Sequence, residues 1–268
     1  MSEGAAKGFG KKPQPNEERR KIQAIKGTRD LLPPEAALWN RVEQTAQEVF
    51  TSYGFGEIRL PIFEATDLFA RSIGLETDVV SKEMYTFVDR DETSVSLRPE
   101  ATASVCRAYI EDGMQQLPQP VKLYTIGPMF RRERPQKGRY RQFYQIDAEV
   151  LGGSDAPGID GELIEMVMTF FERLGLQGVQ LEINSIGDKE CRPKYVELLR
   201  AELRKVKDKL GPDSQRRIET NPLRVLDSKR PEDAHVIDGA PILLDHLSAA
   251  AAAHFDVKNT PPSGVSEV

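Results

Sequence analysis

Apolar residues recur at helical spacing in several stretches of the chain. Residues 35–53 place five apolar side chains on one helical face, and Gly54 follows where that helix would end. These side chains are Leu38, Val42, Ala46, Val49 and Phe50. The segments ATASVCRAYIEDG and DGELIEMVMTFFERLG show the same spacing and predict two further amphipathic helices.

Other stretches alternate between apolar and polar residues, as strands do. The segment MYTFVDRDETSVSLRPE predicts two strands joined by a polar turn at residues 89–92, and VKLYTIGPMF, RQFYQIDAEVLG and VQLEINSIG predict one strand each. In EIRLPIFE, Pro61 interrupts a short strand, which should therefore lie at an edge or an interface because proline cannot donate to a ladder. Strands joined by hairpin-length turns, with helices between groups, predict an α+β fold with an antiparallel sheet flanked by helices.

From about Lys189 the chain becomes more charged and mostly helical, with KECRPKYVELLRAELRKVKDKLG and LLDHLSAAAAAHF as helices and NPLRVLDSKRPED as linking turns. We therefore expect a main α+β core over residues 21–188 and a small helical domain over residues 189–255. Residues 1–20 and 256–268 show no periodicity, and we predict that both are disordered tails.

Composition adds few constraints. With 39% hydrophobic and 29% charged residues, no apolar stretch near 20 residues and no apolar core at the N-terminus, the sequence is typical of a soluble cytoplasmic protein. Cys106 and Cys191 are predicted to be reduced thiols, and the three histidines lack metal-ligand spacing, so we expect no metal site. Glycine-rich phosphate motifs are absent, so a nucleotide would need another kind of site.

The densest chemistry lies in FRRERPQKGRYRQFYQIDAEVLG, residues 130–152. Six Lys/Arg residues fall within residues 131–141, although the whole chain has a net charge of -5. Arg131 directly follows an apolar run, so its planar guanidinium starts at the end of a buried strand and suits a phosphate or a carboxylate. A solvated charged turn is the alternative for the rest of the loop.

Period-2 spacing on the returning strand places an aromatic ring and three polar groups on one face: Phe143, Gln145, Asp147 and Glu149. That face could line a pocket in which the ring stacks on a base and the polar groups bind an amino-bearing ligand; one wet face of a sheet would give the same pattern. In LRPEAT, Glu100 adds a carboxylate at a strand end, either for a ligand or simply near a helix N-terminus.

Five stretches in order, IKGTRDLLPPE, EIRLPIFE, LRPEAT, FRRERPQKGRYRQFYQIDAEVLG and INSIGDKECRPKY, closely resemble histidyl-tRNA synthetases, members of the class II aminoacyl-tRNA synthetases. The resemblance covers about residues 21–255. It implies a six- to seven-stranded antiparallel sheet with flanking helices, followed by a partial helical insertion domain. The stretch around Pro61 resembles the first class II motif, which builds the homodimer interface, and the basic hairpin resembles the second.

The resemblance also implies residue roles. Arg131 would be the catalytic residue that contacts the ATP α-phosphate and the histidine carboxylate. ATP would further be bound by Glu133, Arg139 and Phe143, the last by stacking on adenine. The histidine-binding residues would be Glu100, Ala101, Thr102, Arg131, Gln145 and Glu149.

The implied activity is that of a histidine–tRNA ligase. Histidine would be activated by ATP, with Mg²⁺ on the phosphates, and then transferred to tRNA(His) by a cytoplasmic homodimer without membrane attachment. Family members continue after the helical insertion with an LVRGLDYY-like segment, a third class II motif and an anticodon-binding domain. This sequence contains none of them, so we expect an incomplete or inactive form.

Two other functions compete with this interpretation. The first is a non-catalytic histidyl-synthetase-like regulatory subunit of ATP phosphoribosyltransferase, which keeps the fold without an anticodon domain. Such paralogues commonly lose the basic-loop residues, whereas RRERPQKGRYRQ is intact here. The second is a general nucleic-acid-binding module, which the acidic net charge disfavours.

Overall fold

The computed structural model describes residues 22–73, 83–154 and 156–258, so the predicted tail over residues 1–20 and the last ten residues lie outside the described part. The helices are α1 (Glu35–Ser52), α2 (Thr66–Ile73), α3 (Thr102–Glu111), α4 (Pro157–Leu174), α5 (Cys191–Lys205), α6 (Pro212–Thr220), α7 (Leu223–Leu226), α8 (Pro231–Asp238) and α9 (Ala249–Lys258). The strands are β1 (Gly56–Glu57), β2 (Phe63–Ala65), β3 (Thr86–Val88), β4 (Ser94–Leu97), β5 (Val121–Phe130) and β6 (Gln142–Leu151).

The strands form two three-stranded antiparallel sheets, with the orders β1-β5-β6 and β2-β4-β3. Arg98 follows β4 and connects the two sheets, because its carbonyl accepts the N–H of Phe130, the last residue of β5, at 2.9 Å. Its own N–H donates to the carbonyl of Ile62, next to β2, at 2.9 Å and extends the β2–β4 pairing. The predicted fold class is therefore confirmed. The described strands divide between two sheets instead of forming one continuous sheet.

Pro61 lies between β1 and β2, outside both strands. The predicted interrupted strand is thus two separate short strands, because a residue without an N–H cannot continue the ladder. Both flanking strands are edge strands of their sheets.

Three predictions beyond residue 175 need correction. The predicted strand VQLEINSIG is wrong, since residues 179–187 form no ladder with any described strand and alternation alone supplies no hydrogen-bonding partner. The segment expected to be linking turns, residues 221–233, contains α7 and the first turn of α8. Helix α9 continues through Lys258, three residues into the range predicted to be a tail.

Contacts divide the chain into two compact units, and all predicted site residues belong to the first one, which includes Glu57–Gln116 and Leu123–Glu149. Its core contains Phe69, Met84 and Ala103. The second unit has a helical core around α5. The buried members of that core are Tyr195, Leu199, Leu203, Leu210, Ile218, Val225 and Val236.

A buried carboxylate organises the helical part of the second unit. Asp233, in the first turn of α8, is fully buried and accepts hydrogen bonds from the Gly211 N–H at 2.8 Å and from the hydroxyls of Ser214 and Ser228, each at 2.6 Å. A buried charge is tolerated only when its acceptor capacity is filled in this way. The network joins the N-termini of α6 and α8.

Candidate active site

The basic hairpin joins β5 to β6 through residues 131–141. At its base, the Arg131 N–H donates to the Arg141 carbonyl at 2.9 Å. Near its tip, Gln136 and Arg139 exchange two backbone hydrogen bonds, and Gly138 supplies the positive φ of +81° that the tight turn needs. The six Lys/Arg residues therefore sit on a loop with its own hydrogen-bonded geometry.

Arg131 is held in place through its Nε atom. Nε donates to the carbonyl oxygen of Pro99 at 2.9 Å, and the guanidinium carbon lies 5.1 Å from the centroid of the Phe143 ring. Its Nη1 atom lies 4.0 Å from a carboxylate oxygen of Glu133. The guanidinium is thus fixed in orientation between the strand of Phe143 and the backbone preceding Glu100.

Glu133 and Arg139 form an ion pair, with an N–O distance of 3.3 Å. Arg139 is mostly exposed, whereas the Glu133 side chain is only 20% exposed and lies between two guanidiniums. The structure therefore brings together Arg131, Glu133 and Arg139, which the resemblance assigns to ATP. The Arg131 guanidinium lies over the Phe143 ring, so a base that stacked on Phe143 would lie next to this cation.

The two faces of β6 differ in the way that alternation predicts. Tyr144 packs on Trp39 with ring centroids 4.9 Å apart, while the side-chain oxygens Gln145 Oε1 and Asp147 Oδ2 are buried without a hydrogen-bond partner. A buried polar atom without a partner is costly, and such atoms concentrate where a ligand supplies the missing bond. The polar face of β6 is thus a candidate pocket wall.

The LRPEAT segment reaches the same wall from α3. Glu100 Oε1 accepts the N–H of Ala103 at 3.0 Å, so this carboxylate caps the start of the helix as the alternative interpretation expected. Ala101 is fully buried and its carbonyl accepts the N–H of Val105, while Thr102 is the first residue of α3 and half-buried.

The resemblance assigns no role to Asp147, although the period-2 pattern places it on the polar face of β6, and its pKa is the most strongly shifted of the site. Burial raises its pKa, and the negative charges of Glu149 and Glu100 raise it further, to about 7. Burial raises the pKa of the Cys106 thiol, and the charges of Glu149, Glu100 and Asp147 raise it further. Glu100 and Glu149 thus lie close enough to act on Asp147, and three half-buried carboxyls near one another are suited to a cationic ligand.

Replacing Asp147 with asparagine should remove a free-energy cost of folding that increases with pH. Because the pKa of Asp147 is raised in the folded state, its contribution to stability is complete below about pH 4 and is lost as the pH rises through about 7. We therefore expect Asp147→Asn to have a higher free energy of unfolding than wild type. This stabilisation should be larger at pH 8 than at pH 5, by on the order of 1 kcal/mol. Urea unfolding at both pH values measures this difference, and an equal effect at both would show that Asp147 does not titrate in this range.

Arg98 is a second residue whose importance the sequence analysis did not identify. Its guanidinium is buried and donates to the carbonyl oxygens of Pro128, Leu60 and Pro61 at 2.9, 3.1 and 3.3 Å. It therefore fixes the segment around Pro61 against β5. The only sequence signal was its place directly after a strand and before Pro99.

Within residues 22–73, 83–154 and 156–258, no group of three or more His, Cys, Asp or Glu side chains could hold a metal ion. In the same ranges no single helix is long and apolar enough to cross a membrane. One pair of helical segments, bent by 94° between them, has the length and composition of a membrane span only when the two are taken together.

Comparisons with known proteins identify the family of this chain. The family model for histidyl-tRNA synthetase matches residues 27–187. The chain is 58% identical to the histidine–tRNA ligase of Solibacter usitatus (strain Ellin6076) over 235 residues, 88% of this chain and 56% of that relative. It is 57% identical to that of Koribacter versatilis (strain Ellin345) over 244 residues, 87% of this chain and 55% of that relative.

Among solved structures, the apo histidyl-tRNA synthetase of S. aureus aligns with a TM-score of 0.66 and 38% identity, over 89% of this chain and 53% of that chain. The chain spans about half the length of the curated relatives it matches. The matched residues 27–187 include the basic hairpin, the LRPEAT segment and the polar face of β6. The chain belongs to the histidyl-tRNA synthetase family.

Proposed function

We propose that the first unit binds histidine and ATP side by side and serves the activation step of a histidine–tRNA ligase. The observation that carries this proposal is the placement of Arg131: its guanidinium lies over Phe143 and donates to the Pro99 carbonyl, one residue before Glu100. A fixed cation thus stands next to a carboxylate-rich wall. Such an arrangement suits two substrates of opposite local charge.

The nucleotide half consists of Arg131, Glu133, Arg139 and Phe143. The terminal amines of Arg131 would donate to the α-phosphate, because Nε is already used by Pro99 and only the two Nη atoms remain for a bidentate contact. Arg139 would approach the outer phosphates and exchange its partner Glu133 for them. Phe143 would stack on adenine beside the Arg131 guanidinium.

The amino-acid half consists of Glu100, Ala101, Thr102, Gln145 and Glu149, with Arg131 contacting the carboxylate. Glu100 and Thr102 would bind the α-amino group. Gln145 has a buried oxygen without a partner, which can accept a hydrogen bond from an imidazole N–H. Glu149 would be oriented toward the imidazole or the amino group, and analogues that leave these groups unpaired would be rejected.

The proposed reaction has two steps. An oxygen of the histidine carboxylate attacks the α-phosphorus of ATP, and the bond to the β-phosphate oxygen breaks, which gives histidyl-adenylate and pyrophosphate. A terminal ribose hydroxyl of tRNA(His) then attacks the carbonyl carbon and releases AMP. Arg131 would stabilise the charge on the pentacovalent phosphorus, and the pocket would hold the carboxylate in line.

Mg²⁺ would arrive with ATP. Mg²⁺ is usually held by one or two carboxylates together with substrate phosphates, and not by an all-protein cage. Glu133 would be one such carboxylate, since it pairs with Arg139, which is assigned to the outer phosphates. The ion would neutralise charge on the outer phosphates.

The assembly is also part of the proposal. We propose a cytoplasmic homodimer without membrane attachment, in which the segment around Pro61 forms the interface. Arg98 supports this role of the segment because it holds the carbonyls of Leu60 and Pro61 in place. The intact basic loop favours a synthetase site over a regulatory paralogue.

Glu149→Ala should weaken histidine binding at least ~10-fold and change ATP binding less than about twofold, because a buried charge partner typically contributes more than 1.4 kcal/mol. Trp39, the one tryptophan of the chain, lies against Tyr144 of β6 and gives a fluorescence signal for the titrations. Glu111→Ala is the matched control, since it removes the same charge from an exposed site on α3. Unchanged histidine affinity in Glu149→Ala would remove Glu149 from the proposed site.

A further inference from the structure

Residues 26–29, which we call the N-terminal clasp, contact the loop of the basic hairpin at several points. The Gly27 carbonyl accepts the backbone N–H of Arg141 at 2.6 Å, and the Lys26 carbonyl accepts Nη1 of the same residue at 3.2 Å. The Arg29 guanidinium lies 5.0 Å from the centroid of the Tyr140 ring. Backbone, side chain and ring contacts therefore converge on two consecutive loop residues.

The clasp has a defined shape and an anchor. Thr28 closes a turn by donating its N–H and its hydroxyl to the Ile25 carbonyl, at 2.9 and 2.7 Å. Arg29 forms a bidentate ion pair with Glu35, the first residue of α1, at 2.7 and 3.2 Å. The clasp is therefore tied to α1 at one end and to the hairpin loop along its length.

Gly27 leaves no space for a side chain. Its φ is +92°, and an added Cβ would lie 2.8 Å from Cγ of Arg141 and 2.9 Å from Cγ of Pro135. Contacts below 3.0 Å require either the clasp or the loop to move. The close approach of the two segments thus depends on glycine at this position.

Arg141 transmits this contact to Arg131. Its carbonyl accepts the Arg131 N–H at 2.9 Å, and its Nε donates to the Glu133 carbonyl at 3.3 Å. Arg141 therefore hydrogen-bonds both to the clasp and to Arg131 and Glu133, two of the three loop residues assigned to the nucleotide. A shift of Arg141 would displace the backbone from which the Arg131 side chain starts.

We propose that the N-terminal clasp positions Arg131 for the nucleotide, with Gly27 and Arg141 as positioning residues that act through the base of the hairpin loop. This inference rests on the proposed function for its nucleotide, while the ordering of the loop by the clasp can be measured without any ligand. The histidine pocket wall on β6 makes none of these contacts. Loss of the clasp should therefore affect nucleotide binding more than histidine binding.

The test compares Gly27→Ala with Gly54→Ala in the full 268-residue chain. Gly54 has a similar φ of +81° but nothing within 4 Å of an added Cβ, so it controls for backbone strain without a clash. Amide hydrogen exchange of residues 131–141 is the first readout, because the N–H groups of Arg131 and Arg141 are both hydrogen-bonded in the clasped loop. We expect at least ~10-fold faster exchange in Gly27→Ala, where these bonds open, and wild-type exchange in Gly54→Ala.

The second readout is ATP and histidine affinity by Trp39 fluorescence. The proposal predicts that Gly27→Ala weakens ATP binding at least ~5-fold and leaves histidine binding within about twofold of wild type. Unchanged exchange, or faster exchange with unchanged ATP affinity, would overturn the positioning role. If the wild-type chain bound no ATP, the proposed function would fail, and the exchange data would still decide whether the clasp orders the loop.

Arg141→Met provides an independent variant if Gly27→Ala does not fold by circular dichroism. It keeps the backbone bonds to Gly27 and Arg131 but removes the guanidinium bonds to Lys26 and Glu133. We expect faster exchange of residues 131–141 and weaker ATP binding, each at least ~3-fold. Wild-type behaviour in both measurements would contradict the inference.

Discussion

Replacing Arg131 with alanine is expected to weaken ATP binding by roughly 100-fold. Hydrogen bonds to charged groups contribute about 1.5–3 kcal/mol each, and two terminal amines on the α-phosphate would together supply roughly 3 kcal/mol. The effect is large because Nε is fixed on the Pro99 carbonyl and the guanidinium rests over Phe143, so the cation is already oriented before the nucleotide arrives. Titration of the variant with ATP, followed by Trp39 fluorescence, measures the loss.

Arg134→Ala is the matched control for Arg131→Ala. It removes the same charge from an exposed position of the same loop. The comparison therefore distinguishes a specific contact of the Arg131 guanidinium from the general attraction between a basic loop and a polyanion. We expect less than about a threefold effect on ATP affinity. If the two variants lost affinity equally, Arg131 would have no special contact with the phosphate.

Arg98→Met is expected to destabilise the protein by about 3–5 kcal/mol. The substitution removes the hydrogen bonds from a buried guanidinium to three backbone carbonyls, those of Leu60, Pro61 and Pro128, and the loss of a buried hydrogen-bond network is among the most destabilising changes. Arg98 is only 3% exposed, so water cannot readily replace the guanidinium. Urea unfolding monitored by Trp39 fluorescence gives the free energy of unfolding.

Two further variants serve as a control and as an independent test for Arg98→Met. Arg59→Met removes an equivalent charge from a side chain that is 85% exposed and should change stability by less than about 0.5 kcal/mol. Gly127→Ala should destabilise through the same contact, because an added Cβ would overlap Nη2 of Arg98. Near-wild-type stability of Arg98→Met would mean that the three carbonyls find other partners.

Local patterns predicted several strands and helices well because hairpins and amphipathic helices depend on short-range spacing. β5 and β6 occupy the segments that alternation indicated, and Ala46, Val49 and Phe50 are buried on α1 as predicted. Leu38, assigned to the same face, is 64% exposed, since periodicity identifies a face but not how far along a helix its neighbours extend. The failed strand at residues 179–187 has the same origin, because pairing depends on a distant partner.

The site was predictable to the extent that its residues lie close together in sequence. The polar face of β6 follows from period 2, and Arg131 follows from its position after an apolar run. The role of Asp147 requires knowing that Glu100, 47 positions earlier, adds its charge to the same pocket. Likewise, the contact of Gly27 with Arg141 spans more than a hundred residues, so no local pattern could show it.

The central claim is that one site holds histidine and ATP side by side, and a stable analogue of histidyl-adenylate with a sulfamate in place of the phosphate tests it directly. Because one molecule would fill both halves, it should bind the wild-type chain at least ~100-fold more tightly than either histidine or ATP alone. The seryl analogue, which lacks the imidazole, should lose most of that gain. Binding of the histidyl analogue no tighter than ATP, or equal binding of the two analogues, would contradict the account.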